Sequence, residues 1–297
     1  MLLHGTAEYM IHPGDCIEHM ATMPEASVDF AVFSPPFPSL YAYTSDECDV
    51  GNTDDLDGEA KLHLSFFYSM LRRVVKPGRA VVVHVAQIPR LKRSGRNGLF
   101  DFRGLNIRLG NRAGLVYEYD WSVRKNPQAQ AIRTRSRELQ FAGLESDRAK
   151  SRGALPDFLI KFISPGENKT PVKSEGDVSR NDWIDWAEHH WRDIRETDTL
   201  NTTEAKGEND TKHICPLQLG VINRLVRLYT NPGEIVFSPF AGIGSEGYVS
   251  LKLGRRFYGC EIKAEYIDAM RRNLGKAIEA RKESQQTLFG VMEEPVV

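Results

Sequence analysis

The chain has 297 residues, of which 41% are hydrophobic, 27% charged and 9% aromatic, with a formal net charge of −1. Such a length holds one large α/β domain or a core with a sizeable insert, and the composition excludes collagen, a coiled coil and a small disulfide scaffold. No apolar run approaches the roughly 20 residues of a membrane span, no basic start leads into a long apolar stretch, and Cys16, Cys48, Cys215 and Cys260 form no C-x-x-C pair, so a soluble cytoplasmic protein with buried thiols and no metal is expected.

Ala7–Ile11 alternates as a strand, Cys16–Met20 reads as a short helix and Val28–Phe33 as a buried strand. Ser34-Pro35-Pro36-Phe37 follows. Two consecutive prolines can neither continue a central strand nor enter a helix interior, so the chain leaves the sheet at its carboxyl edge there. After a polar loop over about residues 38–57, Glu59–Val75 has helical spacing (Leu62, Phe66, Phe67, Met70, Leu71, Val74) and is stopped by Lys76-Pro77-Gly78. Ala80–Val85 is the next buried strand.

From about Gln87 to Lys212 the alternation lapses. Strand-like pieces stand at Leu115–Val123 and Phe158–Ile163 amid frequent Gly, Pro and Arg, as in an inserted region that is partly irregular. Arg90 to Lys173 holds 18 Lys and Arg against 8 Asp and Glu, whereas Glu175 to Asp210 holds 4 against 11. The near-zero net charge therefore conceals a basic block suited to a polyanion. Trp183, Trp186 and Trp191 stand at near-helical spacing in the acidic segment and read as a local apolar face.

Regular pattern resumes with an apolar helix Leu217–Tyr229, a turn at Asn231-Pro232-Gly233, a strand Glu234–Phe237, a glycine-rich turn, a helix to about Leu253, a strand Phe257–Glu261 and a last helix Ala264–Arg281. Gly242-Ile243-Gly244-Ser245-Glu246-Gly247 has the G-x-G-x-x-G spacing between a strand and a helix, and Glu261 ends the next strand 19 positions after Gly242. Glycines let the backbone approach a ligand, the helix amino terminus favours an anionic group, and a carboxylate at about that offset reaches a ribose hydroxyl pair. An adenosine cofactor fits, either S-adenosylmethionine or NAD(P). One strand follows the glycine turn, so the rest of the sheet must come from residues 1–85, which makes the fold a circularly permuted one.

These two motifs in this order resemble the amino-directed DNA methyltransferases of the permuted beta group, bacterial or phage type, whose catalytic tetrapeptide is (Asp/Asn/Ser)-Pro-Pro-(Tyr/Phe/Trp). Ser34, Pro35, Pro36 and Phe37 match it. Ser238, Pro239, Phe240, Ala241, Gly242, Ile243, Gly244 and Ser245 match the cofactor motif D-P-F-x-G-S-G-T, with Ser238 in place of Asp and Ile243 in place of Ser. The stretch Gly254–Glu261 is similar to G-R-R-F-x-G-x-E, Lys212-His213-Ile214-Cys215-Pro216 to an H-P-x-x-P element, and Gly14-Asp15-Cys16 to a G-D-C segment. The resemblance implies a circularly permuted Rossmann-like α/β sheet with helices on both faces and an inserted recognition region. It implies S-adenosylmethionine as cofactor, held by Asp15, His213, Ser238, Pro239, Phe240, Ala241, Gly242, Gly244, Ser245 and Glu261. Residues 1–86 then form the catalytic half of the core, 87–211 the target-recognition insert, 212–282 the cofactor half and 283–297 a flexible tail.

An exocyclic base amine is a poor nucleophile because its lone pair is delocalised into the ring. The Ser34 oxygen and the Pro35 carbonyl, accepting its two hydrogens, would localise that pair, and Phe37 would face the base. In this family Ser at the first position leans to N4 of cytosine, with N6 of adenine as the alternative and an NAD(P)-dependent oxidoreductase as the rival class. The partner is double-stranded DNA with the base flipped out, as in restriction–modification enzymes. Its phosphates would meet Arg90, Lys92, Arg93 and Arg96 in a turn-rich loop, Lys125 in a W-x-K-x-N-P-like stretch that begins at Trp121, and Arg133, Arg135 and Arg137, which alternate as on a strand face. Gln285–Phe289 resembles the Q-x-x-L-F peptide by which bacterial proteins dock on the replication sliding clamp.

Overall fold

The computed structural model describes residues 7–38, 55, 58–90, 98–134, 141–173, 177–202 and 216–292. Its elements are β1 (Tyr9–Pro13), α1 (Cys16–Thr22), β2 (Phe30–Phe33), α2 (Glu59–Val74), β3 (Ala80–Ala86), β4 (Ile88–Pro89), β5 (Leu99–Phe100), α3 (Phe102–Arg112), β6 (Val116–Val123), α4 (Pro127–Thr134), α5 (Phe141–Ser146), β7 (Asp157–Ile163), α6 (Arg180–Trp186), β8 (His190–Trp191), α7 (Leu219–Tyr229), β9 (Ile235–Ser238), α8 (Ser245–Lys252), β10 (Arg256–Glu261) and α9 (Ala264–Met292). Eight strands form one sheet in the order β1-β10-β9-β2-β3-β7-β6-β8, all parallel except β7.

Alternation along the strands sorts side chains onto two faces. Ala31, Phe33, Val81, Val83 and Val85 meet α1, α2 and α3. Phe30, Val32 and Val82 meet α7, and α8 and α9 close over β10 beyond them through Leu251, Phe257, Met270 and Leu274. Strand order reverses between β9 and β2, which pair through Phe30 with Val236 and Ala31 with Phe237. In open α/β sheets the crevice outside the carboxyl ends at such a reversal is where ligands bind. Buried Asp29 accepts from Ile235 N at 2.9 Å and pairs with Lys76 at 2.5 Å, which docks β9 beside β2 from the opposite edge as well. Among the described residues no helix is long and apolar enough to cross a membrane.

Three expectations are corrected. The stretch 87–211 is not set apart from the core: β6, β7 and β8 are strands of the main sheet, and β7 pairs with β3 over seven residue pairs, Ala80 with Ile163 through Ala86 with Asp157. The reason is that β3 is apolar on both faces, and without β7 its outer edge would be unpaired. Residues 283–292 do not form a tail but continue α9; no Gly or Pro stands between Lys276 and Phe289 to stop it. Gln285–Phe289 are therefore helix residues, not an extended docking peptide, and nothing supports the sliding-clamp reading. Finally, Arg133 belongs to α4, not to a strand, because Asn126 Oδ1 accepts from Gln128 N and Ala129 N and Pro127 opens the first turn.

Of the tryptophans, Trp191 is buried and its ring lies 5.5 Å from that of Trp121, Trp186 is half-buried, and Trp183 is exposed. Cys16 and Cys260 are buried free thiols, both pushed up in pKa first by burial; Cys48 and Cys215 lie outside the described residues.

Candidate active site

The carboxyl ends of β1, β10, β9, β2, β3 and β6 and the amino end of antiparallel β7 all lie on one edge of the sheet. That edge collects Asp15, Glu261, Ser238–Ser245, Ser34–Phe37, Lys125 and Asp157, residues separated by up to 246 positions in the chain.

The glycine turn is built from backbone that only glycine adopts readily. Gly242 and Gly244 have φ of +51° and +85°. A Cβ on Gly244 would come within 2.6 Å of Met270 Cγ, whereas among the described residues one on Gly242 would meet nothing within 4 Å, so within those residues the turn is packed from below and open in front. Glu261 straps it down: Oε2 accepts from Gly242 N at 2.8 Å and Oε1 from Lys263 N at 2.9 Å. Each carboxylate oxygen has a further lone pair. Among the described residues Ser238 Oγ and Ser245 Oγ are buried without a hydrogen-bond partner, and an orphaned buried hydroxyl points to a ligand or water. Ala241 and Pro239 are buried in the turn. Phe240 does something else. Its ring packs 4.9 Å from Phe67 and 5.9 Å from Phe33, so it joins the glycine turn to the β2 side of the core.

Glu246, in the first turn of α8, is 5% exposed. Burial, with a smaller push from the nearby Glu261 charge, raises its carboxyl to about 8. Asp15 caps α1, accepting from Ile17 N at 3.1 Å and Glu18 N at 3.2 Å. His213 lies outside the described residues.

On the other side of the crevice, Pro35 is buried while Ser34, Pro36 and Phe37 are half-buried. The Phe37 ring leans on Phe102 at 5.5 Å. Ser34 Oγ is 3.2 Å from the His84 carbonyl oxygen and 3.1 Å from His84 Nδ1. His84 Nε2 stands 3.0 Å from Asp157 Oδ2, short but outside hydrogen-bond alignment, so the link is chiefly electrostatic. Lys125 Nζ reaches the same Oδ2 at 2.5 Å. Burial opposes the Asp157 charge, yet His84 and Lys125 together outweigh it and hold the carboxyl below the usual carboxylate range. The side chains of Lys125 and Asp157 are each 10% exposed. Lys125 is thus committed to a buried ion pair rather than offered to a phosphate, which corrects its expected role.

His84 and Asp157 were not anticipated from the sequence. They sit on strands 73 residues apart, and only the β3–β7 pairing brings them together. Arg90 is half-buried with its guanidinium 5.2 Å from the centre of the Phe100 ring, beside the Phe37 and Phe102 cluster. Lys92, Arg93, Arg96, Arg135 and Arg137 lie outside the described residues.

Residues 28–272 match a family described as DNA methylase. Type II methyltransferase M.BglII of Bacillus subtilis is 25% identical over 273 residues, covering 87% of this chain and 66% of that protein. Type II methyltransferase M1.MboII of Moraxella bovis is 41% identical over 56 residues, 19% of this chain and 22% of that one. The chain thus spans less than two thirds of these relatives. Among solved structures, the DNA modification methylase TTHA0409 of Thermus thermophilus superimposes with a TM-score of 0.66 at 20% identity, covering 91% of this chain and 96% of that one. The cytosine-N4-specific PvuII DNA methyltransferase does so with a TM-score of 0.66 at 18% identity, covering 93% and 92%. At these identities the likeness establishes the α/β fold.

Proposed function

The chain belongs to the DNA methylase family that its residues 28–272 match, and from that premise we propose that it transfers a methyl group from S-adenosylmethionine to an exocyclic amine of a base in DNA, N4 of cytosine in preference to N6 of adenine. The observation that carries the reading is the juxtaposition of Ser34-Pro35-Pro36-Phe37 and the glycine turn on neighbouring strands, on either side of the sheet's order reversal.

The residues present fit the cofactor. The face at Gly242 and the Ser238 and Ser245 hydroxyls, open and unpartnered among the described residues, supply a close-approach surface and two polar contacts, and the Glu261 carboxylate beside the turn is the ribose acceptor of this reading. Bound there, S-adenosylmethionine supplies a methyl group on a positively charged sulfur. The chain's own part is alignment. Ser34 Oγ and the Pro35 carbonyl accept the amine hydrogens and draw the nitrogen toward tetrahedral geometry. Pro35 and Pro36 have fixed φ and no N–H to pair with a neighbouring strand, and Phe37, backed by Phe102, offers its free face to the base. The base must leave the duplex to reach this crevice. The basic block from Arg90 to Lys173, Lys125 apart, would carry phosphate contacts, and the relatives' Type II class makes a restriction–modification setting the natural one.

The cytosine preference rests on Ser34. Nucleoside mass spectrometry of DNA incubated with the protein and S-adenosylmethionine tests it: N4-methylcytosine is expected, N6-methyladenine as sole product overturns the base assignment, and no methylated nucleoside overturns the activity.

A further inference from the structure

Methylating an amine leaves a proton to be removed, and alignment by Ser34 and Pro35 does not remove it. Once the C–N bond forms and the C–S bond breaks, with its electron pair staying on sulfur, the nitrogen holds a positive charge and one hydrogen too many. A serine hydroxyl is far too weak a base to keep that proton. It can pass one on.

We propose that His84 is the proton acceptor of this reaction, acting through Ser34, and that Asp157 and Lys125 hold it ready for that task; the proposal rests on the methyl-transfer reading above. Three pieces of geometry carry it. His84 Nδ1 lies 3.1 Å from Ser34 Oγ, the oxygen assigned to the target amine. His84 Nε2 lies 3.0 Å from Asp157 Oδ2, so the carboxylate favours the tautomer with its proton on Nε2 and the bare lone pair on Nδ1, facing the serine. The Ser34 proton then has two acceptors, Nδ1 and the His84 carbonyl oxygen at 3.2 Å, and both lie on one residue, which leaves the serine oxygen's lone pairs for the amine.

The transfer balances. One amine proton moves to Ser34 Oγ as the Ser34 hydroxyl proton moves to Nδ1. The products are a neutral methylamino base, an intact serine and a His84 imidazolium beside Asp157, which later releases its proton to water.

Lys125 explains why the carboxylate stays available. Among the described residues the charged group set against His84 is Asp157 from β7, itself paired with Lys125 just beyond β6, with Ser34 facing the imidazole from just beyond β2. Alone, a 10%-exposed Asp157 would be driven toward its neutral form by burial; the lysine, 2.5 Å away, helps to keep it charged between turnovers. His84 and Asp157 are thus positioning residues that move a proton without touching the base, and Lys125 maintains their charge state.

The test uses the full-length protein, a DNA duplex that the wild type methylates, and single-turnover kinetics across pH. In His84→Gln the methyl-transfer rate constant should fall about 100-fold, the low end for a lost general base, while Kd for S-adenosylmethionine and for DNA stays within about 3-fold. The wild-type profile should show an acid limb as the imidazole becomes protonated, and the variant profile should lack it. Asp157→Asn, a second variant of the same shape, should lower the rate while keeping an acid limb at a displaced pH. Binding of both ligands serves as the folding control, and if His84→Gln fails it, Asp157→Asn carries the decision. A folded His84→Gln within 3-fold of wild-type rate, an unchanged acid limb in it, or an Asp157→Asn with wild-type rate and profile overturns the proposal. A wild type that methylates no DNA sinks the parent reading instead, a distinguishable result.

Discussion

Single side chains divide the proposed chemistry between them. Ser34→Ala removes one acceptor for the amine without touching the glycine turn, so turnover should drop by about 100-fold with cofactor affinity nearly unchanged in an isothermal titration. Glu261→Ala should do the reverse, weakening the cofactor by about 10- to 100-fold as the ribose acceptor and the Gly242 strap disappear together. Glu246 makes a prediction about pH. Its carboxyl sits at about 8 when folded and near the ordinary value of about 4.3 when unfolded, so between those limits unfolding releases a proton. Its contribution is complete below about pH 4.3 and is lost as pH rises through about 8, a swing of a few kcal/mol. In Glu246→Gln that dependence should vanish: thermal unfolding at pH 5.5 and 8.5 should show the wild type losing more stability than the variant, and equal losses would refute the buried neutral carboxyl.

Elements are joined at this site by residues that the cofactor motif alone would have assigned to ligand contact. Phe240 is expected among the cofactor residues, and its ring also fills the space between Phe33 and Phe67. Gly247 is the third glycine of the turn, and a Cβ there would approach Leu274 Cδ2 and Phe257 Cδ1 to 2.6 Å, so its task is to let α8 lie against α9 and β10. Gly247→Ala should therefore cost about 1–3 kcal/mol in urea unfolding through overpacking. Gly242→Ala meets no neighbour among the described residues but sits at a φ of +51°, so it should cost about 1–2 kcal/mol through backbone strain alone and, unlike Gly247→Ala, should also weaken cofactor binding; wild-type affinity in Gly242→Ala would overturn its assignment to the ligand face. Helix α3 shows why elements in the middle of the chain escaped pattern reading. Gly104 and Gly110 interrupt its apolar spacing, yet Asp101 caps Gly104 N at 2.9 Å and Gly110 is where the Phe162 ring lies against the helix.

At the scale of the whole molecule, the stretch expected to be an insert supplies three of the eight strands of the sheet. Excising residues 116–163 should leave β3 with a bare apolar edge, and the remainder should show no cooperative thermal transition, whereas a separable module would leave a sharp one. The sequence alone determined the parallel α/β alternation of residues 7–86 and 216–261, the permuted order, the glycine turn with its distal carboxylate, and Ser34–Phe37 at a carboxyl edge. Those are local signals, since strand period, consecutive prolines and glycine spacing act within a few residues. Only the tertiary structure decided that Lys125 is an internal counter-ion and that His84 and Asp157 stand behind Ser34. Neither follows from neighbours in sequence, because antiparallel pairing of β7 with β3 is chosen by what covers an exposed strand edge, and that pairing brings residues from opposite ends of a 73-residue separation to within 3.0 Å.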